Sequence, residues 1–183
     1  MFPMTVMVHR LTLLRFLVLM LLGTVVGVST QAVSKDPAGL SNFHQVNSTI
    51  YRGGAPTKTG LQYLQKIGIH TIIDLRISPK EVKAEKKMAT EMGFTWLNIP
   101  MGREAPTSKQ VATFLSTLAK SDDEPVFVHC QYGADRTGCM IGIYRVTVQG
   151  WSFTQAWTEM RKYGFKPYLD ELKEAVRSRA TQK

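Results

Sequence analysis

Val126-Phe127-Val128-His129-Cys130-Gln131-Tyr132-Gly133-Ala134-Asp135-Arg136-Thr137-Gly138 is the stretch on which the fold of this 183-residue chain turns. Val126 to Val128 is a short apolar run and reads as a buried strand. From Cys139 the chain continues as CMIGIYRVTVQG, apolar nearly all round, which predicts a central, buried helix. Cys130 to Arg136 is the loop between them. A strand, a tight loop and a helix start in that order place free backbone N–H groups and the positive end of a helix dipole at the carboxyl end of a strand. That is a ready site for an anion.

The loop has the length to wrap one tetrahedral dianion. Gly133 lets the backbone curl where a side chain would collide. Arg136, in the first turn of the helix, can grip two oxygens with its planar fork. The same field should lower the Cys130 thiol from about 8.5 toward the range of about 3.5 to 7.5 found at helix N-termini. A thiolate there can attack phosphorus in line, giving a phosphocysteine that water then hydrolyses. Thr137 is placed to hydrogen-bond the sulfur, and His129 to order the loop rather than to move a proton. The cradle made by Gln131, Tyr132, Gly133, Ala134, Asp135 and Arg136 neutralises the transition-state charge itself, so no metal and no cofactor is expected. Cys139, among Met140, Ile141 and Ile143, reads as core, with an oxidation partner for Cys130 as the alternative.

Working outward, short β-like runs alternate with helical patterns, the mark of an α/β domain. Thr49–Arg52 reads as a first strand and Gly53-Gly54-Ala55-Pro56 as a turn; Leu61, Leu64 and Ile67 then recur at helical spacing up to Gly68. His70–Leu75 is a buried strand. Ser78-Pro79-x-Glu81 predicts a capped helix running to about Met92, with Gly93 as its stop. Thr95–Ile99 is another strand, Pro100–Pro106 a loop, and Thr107-x-x-Gln110 a second capping box before an apolar face of Val111, Phe114, Leu115 and Leu118. Ser152-x-x-Gln155 opens a further helix, and Leu169–Ala180 is the last. Asp122, Asp123 and Glu124 read as surface charge.

The first residues are set aside from the fold. His9, Arg10 and Arg15 precede Phe16–Val28, thirteen uncharged residues, and Thr30-Gln31-Ala32 follows. This is the pattern of a signal peptide over 1–32, with a periplasmic or secreted product; a retained anchor is the alternative, since a spanning helix needs about 20 apolar residues. Residues 33–41 read as a flexible leader and 42–183 as one domain. Cleavage after Ala32 leaves 151 residues, and the net charge falls from +9 to +7 because two of the 23 basic and none of the 14 acidic residues are lost. The positive balance favours anionic partners, but no basic and aromatic residues interleave in a stripe, so no nucleic acid is expected. Two cysteines are too few for a disulfide scaffold. Stable membrane association after cleavage is not expected.

HCQYGADRTG, led by PVFV and followed by CMIGIYRVTVQGWSFTQAWTEMRKYGF, resembles the signature of bacterial dual-specificity tyrosine phosphatases, which are related to the atypical dual-specificity phosphatases of plants and fungi. IYRGGAP, GIHTIIDLR and WLNIPM also resemble pieces of that family, in the same order, so that the resemblance spans roughly Asn42 to Phe165. It implies a cysteine-phosphatase α/β fold, with a central four- or five-stranded mixed sheet flanked by helices and the phosphate loop between a strand and a helix. It also implies that Cys130 is the nucleophile, Arg136 the phosphate ligand and Gln131–Arg136 the cradle. Family members often carry an aspartate general acid about thirty residues before the cysteine; here that region reads NIPMGREAP, and Glu104 is its acidic residue, with Asp135 or water as the alternative. Phosphoproteins are the expected substrates, phosphotyrosine first. Inositol phosphates or phosphoinositides are the alternative, made less favoured by Asp135 inside the loop, where lipid phosphatases tend to place lysine. A catalytically dead phosphate-binding module and a rhodanese-like enzyme fit less of the pattern. Arg52 and Arg76 are candidates either for the pocket or for ion pairs, with Asp74 a mate for either.

Overall fold

The computed structural model of the chain describes residues 36–120 and 124–180; the expected signal segment 1–32 lies outside them. Eleven elements follow in order: β1 His44–Gln45, β2 Ile50–Gly54, α1 Lys58–Lys66, β3 Thr71–Asp74, α2 Pro79–Glu91, β4 Thr95–Asn98, α3 Ser108–Lys120, β5 Val126–Cys130, α4 Asp135–Thr147, α5 Phe153–Lys162 and α6 Asp170–Ala180. The five strands form one sheet in the order β1-β2-β5-β3-β4. All neighbours are parallel except β1, which pairs antiparallel with β2. β5 is therefore central, with β2 on one side and β3 on the other.

Strand alternation sorts the two faces of the sheet. Val126 and Val128 of β5 pack with α4, α5 and α6 and with Val111 and Phe114 of α3. Phe127 points the other way, toward Leu61 and Leu64 of α1 and Ala89 of α2. His129 continues the Phe127 side, its ring stacked 5.5 Å from that of Phe127. Cys130 continues the Val128 side, toward α4. α4 is the core helix its composition predicts: every residue from Thr137 to Val146 is buried.

The expected elements are present with small shifts at their ends. The boxes at Thr107 and Ser152 form: the Gln110 amide donates to Thr107 Oγ1 at 3.2 Å, and the Gln155 amide to Ser152 Oγ at 3.3 Å. The box expected at Ser78 does not form. Ser78 makes no side-chain cap bond, and Pro79 at the first helical position starts α2 without one; Ser78 and Glu81 instead border the cavity over the phosphate loop. β1 has no counterpart among the expected strands, because two residues carry no periodicity. Residues 36–41, within the stretch expected as a leader, are fastened to the domain: Leu40 is buried, and the Asp36 carboxylate accepts from the Asn42 and Phe43 amides at 2.7 and 3.0 Å. Among the described residues no helix is long and apolar enough to cross a membrane.

Candidate active site

The loop from Cys130 to Arg136 lies where β5 ends and α4 begins. Gly133 has φ +68, and a Cβ there would sit 2.4 Å from the Gly53 carbonyl carbon, so the curl needs glycine both for its backbone angle and for its close approach to β2. Cys130 is 2% exposed. Burial pushes its thiol up, but the Thr137 hydroxyl and amide, the Arg136 charge and the Tyr132 amide outweigh it and hold the thiol below its ordinary value. Thr137 Oγ1 is buried without an oxygen or nitrogen partner among the described residues, which leaves its proton to the sulfur. Among the described residues the Arg136 guanidinium makes one long bond, from Nη1 to the Met101 carbonyl at 3.4 Å, which leaves most of its fork available to an anion.

Over the loop lies a cavity of about 490 Å³. Gln131, Tyr132, Asp135 and Arg136 border it from below, Arg76, Ile77, Ser78 and Glu81 from the start of α2, Met101 to Arg103 from the loop after β4, and Lys166, Tyr168 and Leu169 from the turn before α6. Gly133 and Ala134, also expected in the cradle, are buried in the loop itself. Of the two acids considered for protonating the leaving group, Asp135 borders the cavity, and its Oδ1 accepts from the Lys166 amide at 2.9 Å. Glu104 is exposed, with its carboxylate folded over Gly102, while its neighbours Gly102 and Arg103 border the cavity.

Beneath the site the structure brings together a buried ion network. Arg76 donates to Asp74 with Nε at 3.0 Å and Nη2 at 2.9 Å, and Nη2 also reaches Glu85 Oε2 at 2.5 Å. His129 Nε2 lies 2.8 Å from Glu85 Oε1, and Trp96 Nε1 donates to the same oxygen at 3.3 Å. Burial alone would lower the His129 pKa, but Glu85, by charge and by hydrogen bond, and then Asp74 more than offset this and the opposing Arg76 charge, so the imidazole is held above its ordinary value. With His129 protonated, two carboxylates, a guanidinium and an imidazolium balance in charge, which lessens the cost of burying them. Asp74, Glu85 and His129 have the spacing of metal ligands, but Arg76 and His129 already satisfy these carboxylates. Arg76 is thus both ion-paired and at the cavity wall, and it, not Arg52, is the mate of Asp74. Glu85 is hidden from a reading of the sequence because it stands in the charged run Lys83-Ala84-Glu85-Lys86-Lys87; its one signal is its place four residues before Ala89, on the face α2 turns to the sheet.

Cys139 is fully buried, its thiol is pushed up to about 12 by burial, and its Sγ faces the Leu172 carbonyl at 3.4 Å, the setting of an inert core thiol. By contrast Cys130, with a depressed pKa, hydrogen-bond donors at its sulfur, a free guanidinium and a helix N-terminus, can act as a nucleophile toward a bound phosphoryl group.

Residues 28–178 match the family described as "DSP-PTPase phosphatase fused to NAD+ Kinase". The dual specificity protein phosphatase TpbA of Pseudomonas aeruginosa is 27% identical over 164 residues, covering 85% of this chain and 72% of the relative. The inositol diphosphatase DSP3 of Arabidopsis thaliana is 30% identical over 126 residues, covering 67% of this chain and 62% of the relative. A crystal structure of P. aeruginosa TpbA in complex with pTyr superposes with a TM-score of 0.64 at 20% identity, covering 82% of this chain and 95% of that one.

Proposed function

Since the chain belongs to the DSP-PTPase phosphatase family, we propose that this phosphatase hydrolyses phosphoproteins, with phosphotyrosine as the preferred residue. One observation carries the substrate reading: of the four exposed large hydrophobic side chains among the described residues, three border the cavity. Ile77, Tyr132 and Tyr168 are 59, 69 and 64% exposed. Apolar and aromatic side chains left open to water around a polar floor suit an aryl phosphate, whose ring they can cover. A related TpbA has been crystallised with pTyr. A second reading, an inositol-phosphate substrate, draws on Arg76, Arg103, Arg136 and Lys166, four cations at one cavity, and on the resemblance to DSP3. Kinetic constants on phosphotyrosine peptides, phosphoserine peptides and inositol phosphates, measured side by side, separate the two. We expect the highest kcat/KM on phosphotyrosine peptides; an inositol phosphate turned over tenfold more efficiently would replace the first reading with the second.

In this reading the Cys130 thiolate attacks phosphorus, Arg136 and the loop amides hold the equatorial oxygens, Thr137 steadies the sulfur as it leaves, and Glu104 protonates the departing oxygen. Glu104 is reached by movement of the loop after β4, since catalytic contacts in an unliganded site are often long. Glu104→Gln should lower kcat about 100-fold on an alkyl phosphate and much less on p-nitrophenyl phosphate, whose leaving group needs no proton. The rising limb of the pH–rate profile belongs to Cys130: the thiolate is the reactive form and its pKa is depressed, so activity should rise at a pH below that of an ordinary thiol and stay unaltered in this limb in Glu104→Gln. A Glu104→Gln variant whose rate matches wild type on both substrates would remove Glu104 from the mechanism and move the test to Asp135→Asn.

A further inference from the structure

Arg52 is wholly buried in β2 and pairs with no carboxylate among the described residues. Its Nε and Nη1 atoms have no hydrogen-bond partner among the described residues. Its one hydrogen bond among the described residues runs from Nη2 to the Gly133 carbonyl, at 2.8 Å, and its guanidinium lies 4.7 Å from the centre of the Tyr163 ring. A buried cation with two unmet donors is costly to the fold, so its presence behind the phosphate loop calls for a reason beyond packing.

The loop carbonyls supply one. The Gln131 carbonyl accepts from the Ala55 amide at 3.3 Å, the Tyr132 carbonyl from Asn42 Nδ2 at 3.3 Å, and the Gly133 carbonyl from Arg52. Three successive carbonyls are thus held by groups outside the loop. A trans peptide is planar, with its C=O and N–H pointing opposite ways. Tying these carbonyls outward therefore turns the amides of Tyr132, Gly133 and Ala134 away from Asn42, Arg52 and Ala55, toward the bowl of the loop. The Tyr132 amide is among the groups that stabilise the Cys130 thiolate, which agrees with this direction. Asn42 is itself held firmly in place, with φ 51, its own amide bound by Asp36, and its Nδ2 also donating to the Tyr163 carbonyl at 2.9 Å.

We propose that Arg52 is a positioning residue of the phosphate loop, acting with Asn42 and the Ala55 amide as an outer mould that keeps the loop amides aimed at the substrate phosphate. Its charge serves the same end. The other ionisable groups around it are Glu159, Tyr163, Arg145 and His44, and the Cys130 thiolate favours the charged arginine, although burial still pushes its pKa down to about 10. By linkage the charged arginine favours the thiolate in return. The IYRGGA segment is then part of the active site, although Arg52 touches no substrate.

The test uses Arg52→Met, which keeps the apolar bulk and removes both the charge and the Gly133 bond. Its readouts are inhibition by inorganic phosphate, the pH midpoint of Cys130 alkylation by iodoacetamide, kcat and KM on p-nitrophenyl phosphate, and the melting temperature. The expected result is a melting temperature equal to or above wild type, because a half-satisfied buried cation is gone. With it should come a phosphate inhibition constant raised about tenfold or more, the worth of one charge-assisted hydrogen bond, and an alkylation midpoint shifted to higher pH. Arg52→Lys, which keeps the charge and one donor, should recover most of the midpoint. A variant that folds and leaves both the phosphate inhibition constant and the alkylation midpoint at their wild-type values overturns the proposal. Should Arg52→Met fail to fold, Asn42→Gly decides: glycine accepts the left-handed backbone and only the amide is lost. A several-fold weaker phosphate inhibition then supports the mould, and an unchanged constant overturns it.

Discussion

Cys130→Ser should lower turnover on the order of 10⁴- to 10⁶-fold, the scale of losing a covalent nucleophile, while inhibition by inorganic phosphate stays at least as strong as in wild type. The thiolate is made reactive by what surrounds it: the Thr137 hydroxyl and amide, the Tyr132 amide and the Arg136 charge overcome the burial of the sulfur. A serine hydroxyl titrates far above any pH these groups can offset, so the attacking group is lost. The cradle is not. The Gly133 curl, the Arg136 fork and the outward-held carbonyls do not depend on the sulfur, and removing a negative charge from the floor of the bowl can only ease the entry of an anion. Residual activity above about one per cent of wild type in a preparation free of contaminating phosphatase would assign the nucleophile elsewhere.

Arg136→Lys separates charge from geometry. The lysine keeps the positive charge that helps depress the Cys130 thiol, so the alkylation midpoint should remain close to wild type. The planar fork goes, and with it the grip on two oxygens of the phosphoryl group as they flatten in the transition state. We expect kcat/KM on p-nitrophenyl phosphate to fall about 10³-fold, between the loss of one oxyanion donor and that of an arginine finger. Arg136→Met should lose as much activity and also raise the alkylation midpoint. If the lysine variant retained a tenth of wild-type kcat/KM, Arg136 would be a source of field rather than a clamp. The guanidinium, whose one bond among the described residues is a 3.4 Å contact with the Met101 carbonyl, is placed to act as a clamp.

The parts of the site that are contiguous in the chain are legible in the amino-acid sequence. A strand that ends in His129-Cys130, a glycine three residues on and an arginine in the first turn of an apolar helix mark an anion site in consecutive residues, and the structure has this arrangement. The helices marked by Gly68 and Gly93 end where those glycines take positive φ. Ser78 shows the limit of the same method: its pattern is that of a capping box, yet the side chain makes no cap bond beside the cavity. Local patterns state what a segment can do, and a neighbouring site can take the same groups for another use.

What the amino-acid sequence marked by itself is the candidate nucleophile and clamp, the loop between them and the α/β alternation around them, because each is read from residues a few positions apart. Tertiary structure alone decided which charges are buried and whom they serve. The order β2-β5-β3 brings Arg52 and Asp74 to either side of one strand although they stand 22 positions apart in the chain and His129 stands 55 positions beyond Asp74. Only then can Glu85 of a lysine-rich helix become the partner of His129, and Arg52 that of the Gly133 carbonyl. Burial strips water from these ions, which makes their pairing obligatory, and burial depends on how distant segments stack.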